Sequence, residues 1–238
     1  MKTQDFIKKA EAIASLFADI PGTAFVDFYE HHRREVGDIL SALKNDDVNM
    51  QGFVIRAGMM PPEHSVIDEE MKVFCRIPYL TPNGTIAACP GNLRALKGCP
   101  PHAPATAKTI ALLAEARSFT IVQLEGREAH TKQSHIHPFI AAVTKSLREY
   151  GYSVLEAYAS GPCRVCPQGC SEDLECRQPE RRLFAPEACG FWVNSLCREA
   201  SKFPICGGGP QEIRWIKDWR LLTQDTDRVK YVTGVLLG

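Results

Sequence analysis

The sequence predicts an α/β protein with a mixed sheet, and two observations lead to this fold class. From residue 107 onward, segments whose apolar residues have helical spacing alternate with segments whose apolar residues have strand spacing. A strand, a helix and a second strand also follow one another over residues 118–159, which is the pattern of a β-α-β unit with two parallel strands. We further expect an N-terminal helical hairpin and a cysteine-rich metal-binding loop.

The N-terminal region reads as two helices. Apolar residues recur at helical spacing over 2–18 and again over 23–43, and Pro21-Gly22 separates the two segments. We therefore predict that residues 1–48 form a helical hairpin and that residues 49–238 form an α/β cysteine-rich metal-binding domain.

The middle of the chain is less regular. Residues 50–60 predict a strand that ends at Pro61-Pro62. Proline and glycine then dominate residues 75–104, which predicts a long irregular loop containing Cys75, Cys89 and Cys99. Loops of this length inside a domain usually serve a function or are disordered.

The second half supplies most of the sheet. Helices are predicted over 107–116, 138–150 and 186–201, and strands over 118–124, 153–159, 213–222 and 229–237. The segment GPCRVCPQGCSEDLECRQP begins at Gly161, directly after the strand 153–159. Ligand sites of open α/β sheets lie at the carboxyl ends of strands, so this position favours a functional loop.

Composition narrows the class of protein. The 238 residues carry a net charge of zero and a pI near 7.0, which gives no electrostatic basis for binding nucleic acid or an anionic membrane. The chain shows no apolar run of membrane-spanning length, and its first twenty residues lack the apolar segment of a secretory signal. We expect a cytoplasmic protein whose partner is a redox protein or a small-molecule substrate.

Four cysteines in one loop are the strongest functional signal. The chain has ten cysteines, and disulfides are rare in the cytoplasm, so metal coordination explains them better. Cys163, Cys166, Cys170 and Cys176 are separated by two, three and five residues. Sulfur-only sites suit zinc or iron–sulfur clusters, and the compressed spacing is closer to cubane-cluster loops than to the paired knuckles of zinc ribbons. We predict a 4Fe–4S cluster, with zinc as the alternative.

Other residues near this loop are weaker candidates. Cys89 and Cys99 are either further metal ligands or small apolar side chains of a proline-rich loop. Arg164 and Arg177 either contact the cluster or an anionic partner, or belong to a solvated charged loop. The histidines in HTKQSHIHPF either bind metal or form a polar helix entrance.

The motifs also resemble those of a known family. A CPP element (Cys99-Pro100-Pro101), a GxCRxC loop with two further cysteines, a CRxP segment and a helix beginning with EAxG (Glu187–Gly190) all occur here. Together they are similar to an uncharacterised bacterial and archaeal family of predicted metal-binding proteins, domain of unknown function 2284. The resemblance covers about 150 residues. It implies a bound metal and does not imply a reaction.

Three functions remain open from the sequence. A 4Fe–4S cluster would serve electron transfer or hold a substrate beside the metal. A cluster with three thiolates would leave one iron open as a Lewis acid, as in dehydratases or desulfidases. A structural zinc site would stabilise the fold without redox chemistry. The sequence leaves open whether the chain is an enzyme, and oxidoreductase or lyase are the classes that a cluster would serve.

Overall fold

The structure is a computed structural model that describes residues 23–75, 79–80, 86–87, 98–127, 133–170, 176–206 and 228–238. The predicted helix over 2–18, the predicted strand over 213–222 and Cys89 lie outside the described residues.

The described residues confirm the mixed α/β class. The helices are α1 (Thr23–Asp46), α2 (Thr106–Glu115), α3 (Gln133–Glu149) and α4 (Val193–Ala200). The strands are β1 (Val54–Met60), β2 (Tyr79–Leu80), β3 (Ile86–Ala87), β4 (Ser118–Arg127), β5 (Val154–Ala159), β6 (Pro204–Cys206) and β7 (Arg228–Leu237). Short 3-10 turns cover Val48–Met50, Pro62–His64, Glu69–Cys75, Pro179–Arg181 and Glu187–Cys189. None of the described helices is long and apolar enough to cross a membrane.

The main sheet has the strand order β5-β7-β4-β1-β6. The predicted β-α-β unit is present as β4, α3 and β5, and its two strands run in the same direction because both are antiparallel to β7. However, β7 lies between them, so every pairing among these five strands is antiparallel and the sheet is not mixed in its pairing. The strands β2 and β3 form a separate antiparallel pair inside the region that we predict to be irregular.

Side chains alternate between the two faces of the sheet and build two cores. On one face, Val122 and Val235 pack with α1 and α3 in the larger core. On the other face, Phe119 and Val232 pack with α4 and the Glu187–Cys189 turn. Helix α1 therefore shares a core with the sheet, and the boundary between residues 48 and 49 stays a prediction.

The predicted helix over 186–201 is wrong in one respect, since it is broken at Gly190. This residue has φ +91°, and a Cβ there would lie 3.1 Å from the Thr106 side chain and 3.2 Å from the Asp68 carbonyl oxygen. Left-handed backbone and close packing both require glycine at this position. The chain therefore turns after Glu187–Cys189 and starts α4 at Val193.

Candidate metal centre

The cysteine loop leaves β5 and returns beside it. The Ala159 N–H donates to the Phe184 carbonyl oxygen at 2.9 Å, and the Phe184 N–H donates to the Ala157 oxygen at 3.3 Å. A parallel bridge between Tyr158 and Phe184 accompanies these bonds. The two ends of the segment 160–183 are therefore fixed next to each other, which confines all four cysteines to one closed loop.

Within the loop, a turn brings two of the cysteines together. The Gly169 N–H donates to the Cys166 carbonyl oxygen at 3.0 Å, and Gly169 has φ +75°. Proline at the second position and glycine at the fourth are typical of a type I turn. Cys166 therefore opens this turn, and Cys170 follows directly after it.

The buried side chain of His137 on α3 holds the start of the loop. The Arg164 N–H donates to its Nδ1 at 3.0 Å, so the ring hydrogen lies on Nε2, which donates to the Ser160 carbonyl oxygen at 3.1 Å. Burial lowers the pKa of His137 to about 4, the Ser160 carbonyl partly opposes this shift, and the Arg164 charge adds to it. The ring is therefore neutral at neutral pH, and neither nitrogen is available to a metal. Sequence reasoning did not assign this supporting role.

Ser160 connects the same point to the sheet. Its Oγ donates to the Val232 carbonyl oxygen at 2.8 Å and accepts the Val232 N–H at 3.2 Å. The loop therefore leaves from a residue that is tied to both α3 and β7.

Cys163 is half-buried beside this anchored segment. Burial raises the pKa of its thiol, the backbone N–H groups of Val165 and Leu183 donate to the sulfur and partly lower the pKa, and Cys170 and Cys176 raise it further. Both donor residues are buried in the larger core. Backbone N–H groups aimed at a cysteine sulfur stabilise the thiolate, and in iron–sulfur proteins such bonds also set the reduction potential.

Cys166 shares this electrostatic environment. Burial raises the pKa of its thiol, and the charges of Cys176 and Cys170 raise it further. Arg181 and Arg177 lower it. Cys170 and Cys176 therefore lie close enough to Cys163 and Cys166 to oppose the ionisation of these two thiols, and a cation among the four would relieve this repulsion.

The thiols are near one another but do not enclose a coordination sphere. In the part of the chain that the structure describes, no three His, Cys, Asp or Glu side chains are grouped so as to hold a metal ion. Cys170 is exposed, and residues 171–175 lie outside the described residues. Four thiols suit a thiophilic metal chemically, but closing the sphere requires the thiols to approach one another more closely.

The arginines differ in their position. Arg177 is exposed, yet its charge lowers the pKa of Cys166. The charge of Arg181 lowers this pKa as well, and Arg181 Nη1 donates to Gln178 Oε1 at 2.7 Å. Arg164 is exposed, and its backbone bonds to His137. The predicted cofactor contacts of Arg164 and Arg177 stay predictions, and Arg181 adds a further positive charge beside Cys166.

Gly98, the residue directly before the CPP element, contacts the end of the loop through its backbone. The Ala185 N–H donates to the Gly98 carbonyl oxygen at 2.8 Å, and a Cβ on Gly98 would lie 2.5 Å from the Leu183 oxygen and 3.5 Å from the Cys163 Cβ. The Cys99 side chain is buried in a different cluster, together with Cys75 and two alanines. The structure thus groups Cys99 with Cys75, the first cysteine of the same predicted irregular loop.

A second group of titratable side chains surrounds the end of β5. Burial raises the pKa of Glu156, and Arg182, whose Nη2 lies 3.5 Å from Glu156 Oε2, partly lowers it. Burial also raises the pKa values of Cys189 and Tyr158, and the Glu156 charge raises both further. Sequence reasoning missed this group because its members belong to separate segments.

These observations define a mixed α/β protein that carries a thiol-rich loop on the edge of its sheet, with a donor set suited to a soft metal. The chain belongs to the family described as predicted metal-binding protein (DUF2284), whose model matches residues 86–237. The match includes the whole cysteine loop and confirms the resemblance seen in the motifs. Comparison with curated proteins and with solved structures gives no significant match.

Proposed function

We propose that this protein binds a 4Fe–4S cluster through Cys163, Cys166, Cys170 and Cys176 and uses it in redox chemistry. The observation that supports the proposal most is that one closed loop brings Cys170 and Cys176 within electrostatic reach of Cys163 and Cys166. Sulfur-only donors select iron–sulfur clusters or zinc, and three ligands within eight residues are closer to the cubane pattern.

The arginines around the loop suit the redox role that we propose for this protein in the cytoplasm. A cluster with four thiolates is anionic, so the positive charges of Arg177 and Arg181 beside Cys166 would stabilise its reduced form and raise its potential. The exposed Arg164 would meet an anionic partner protein or substrate. When bound, the cluster supplies one-electron transfer, and the loop residues hold it and adjust its potential.

The exposure of Cys170 supports a variant of this proposal. If the cluster keeps only three of the thiolates, its open iron would face solvent near Cys170, as a dehydratase or desulfidase needs. Cys89 or Cys99 could also replace one of the four, but Cys99 packs with Cys75 and would have to turn towards the loop.

Metal analysis of anaerobically purified protein tests the proposal. We expect iron and inorganic sulfide in the wild-type protein, with thiolate-to-iron charge-transfer absorption. Cys163→Ala and Cys166→Ala should lose the metal, whereas Cys206→Ala, which removes another half-buried thiol on β6, should retain it. Zinc without iron or sulfide would reject the redox role in favour of a structural site. Equal metal content in all three variants would reject the ligand assignment.

A further inference from the structure

We infer that His137 is a positioning residue for the metal loop, whose neutral imidazole fixes the backbone on both sides of Cys163 so that this thiol can reach the metal. The inference rests on the proposed metal site but not on the identity of the metal. It assigns to a histidine on α3 a role in metal binding that involves no coordination.

The two hydrogen bonds of His137 bracket the first metal ligand. Nε2 donates to the Ser160 oxygen at 3.1 Å, and Nδ1 accepts the Arg164 N–H at 3.0 Å. Regular pairing of β5 ends at Ala159, so the sheet does not extend to these two backbone groups. One imidazole therefore pairs two part-buried backbone groups that the sheet leaves without a strand partner.

Other contacts leave little freedom between the two bonds. Ser160 is also bonded to Val232 on β7, and the backbone of Gly98 packs against Cys163. The ring of Pro162 fixes one backbone dihedral of the intervening segment. The backbone around Cys163 is therefore held by groups outside the loop, and His137 bonds on both sides of this residue.

This role requires one donor and one acceptor on the same side chain. A glutamine offers an amide N–H and an amide oxygen, so His137→Gln can restore both bonds in part. His137→Phe keeps an aromatic ring of similar size and removes both bonds. His135 is a matched control because it lies on the same helix, is half-buried, and its Nδ1 has no hydrogen-bond partner among the described residues.

The experiment compares wild type, His137→Phe, His137→Gln and His135→Phe in two ways. The first is a titration of the anaerobic apo-protein with Co²⁺, followed by thiolate-to-cobalt absorption. The second is the midpoint potential and electron paramagnetic resonance spectrum after reconstitution with iron and sulfide. Substitution of residues that orient metal ligands typically weakens metal affinity by about 10–100-fold. We expect a loss of this size and an altered spectrum for His137→Phe, a clear recovery for His137→Gln, and wild-type behaviour for His135→Phe.

Wild-type affinity and an unchanged spectrum in His137→Phe would overturn the inference. A folded His137→Gln protein that binds Co²⁺ as weakly as His137→Phe would also overturn the inference, because restoring a donor and an acceptor would then not restore the affinity. If His137→Phe does not fold, His137→Asn decides, since its shorter amide reaches only one backbone group. Weaker Co²⁺ binding at wild-type melting temperature then supports the inference, and wild-type affinity overturns it.

The two proposals fail in different ways. Wild-type protein that binds Co²⁺ but takes up no iron and sulfide rejects the iron–sulfur function, while the cobalt titration still tests His137. Wild-type and His137→Phe proteins with identical clusters reject the positioning role and leave the iron–sulfur function intact. Wild-type protein that binds neither metal rejects both.

Discussion

Replacing Gly98 with alanine tests whether the residue directly before the CPP element supports the metal loop through its backbone. Gly98 has φ +86°, and left-handed backbone costs a residue with a Cβ about 1–2 kcal/mol. The new Cβ would also lie 2.5 Å from the Leu183 carbonyl oxygen, a backbone atom that cannot turn away as a side chain would. Overpacking of this kind costs about 1–3 kcal/mol, so the expected total is about 2–5 kcal/mol.

Gly151→Ala separates the two contributions. Gly151 has φ +92°, but a Cβ there meets nothing within 4 Å, so this variant should lose only the conformational cost of about 1–2 kcal/mol. Urea unfolding of both apo-proteins, followed by circular dichroism, measures the difference. Leu183 directs its N–H at the Cys163 sulfur, so its displacement in Gly98→Ala should also lower the metal content. Equal free energies of unfolding and equal metal contents in the two variants would refute this reasoning.

Two further predictions concern buried titratable side chains. Burial lowers the pKa of His137 from 6.5 to about 4. Between these two pH values, the imidazole therefore binds a second proton only in the unfolded chain. The neutral ring therefore contributes about 3 kcal/mol to the free energy of unfolding. This contribution is present in full above about pH 6.5 and is lost as the pH falls towards 4. Urea unfolding of the apo-protein across this range should show a shallower decline for His137→Gln, and an identical decline would contradict the assignment. Glu199 is fully buried, with His64 Nδ1 at 3.2 Å and Lys202 Nζ at 3.0 Å. Glu199→Leu removes the partner of the buried His64 Nδ1 and should cost about 1–3 kcal/mol in the same assay, while the metal content stays at the wild-type level. Metal loss without destabilisation would instead show that Glu199 serves the metal loop.

The sequence predicted elements whose signal is local and missed those that depend on distant partners. The helix expected over 107–116 is observed as Thr106–Glu115, because its apolar spacing lies within one segment. The insertion of β7 between β4 and β5 was not predictable in this way, because strand order depends on pairings between residues far apart in the chain. The break at Gly190 had a visible signal, since glycine is the usual residue of a left-handed helix end.

The same distinction holds for the candidate site. Cysteine spacing predicted one loop because all four thiols lie within fourteen residues. The bonds of His137 to Ser160 and Arg164 span 23 and 27 residues, so spacing gives no hint of them. One signal was available in the sequence. His137 lies on the apolar face of α3, next to the buried Ile136 and Ile140. A polar side chain on such a face usually has a specific hydrogen-bond partner.

The framework of the fold orients the start of the cysteine loop, and this determines what metal binding must still do. Hydrogen bonds fix Ser160 and Arg164 on the two sides of Cys163, and Phe184 and Ala185 beyond the far end of the loop, whereas Cys170 is exposed. A metal would therefore meet Cys163 already oriented by the framework. Fixing the backbone of one residue costs about 1–2 kcal/mol, and the framework spares the metal this cost at Cys163. Contacts that never touch the metal should for this reason still govern its affinity.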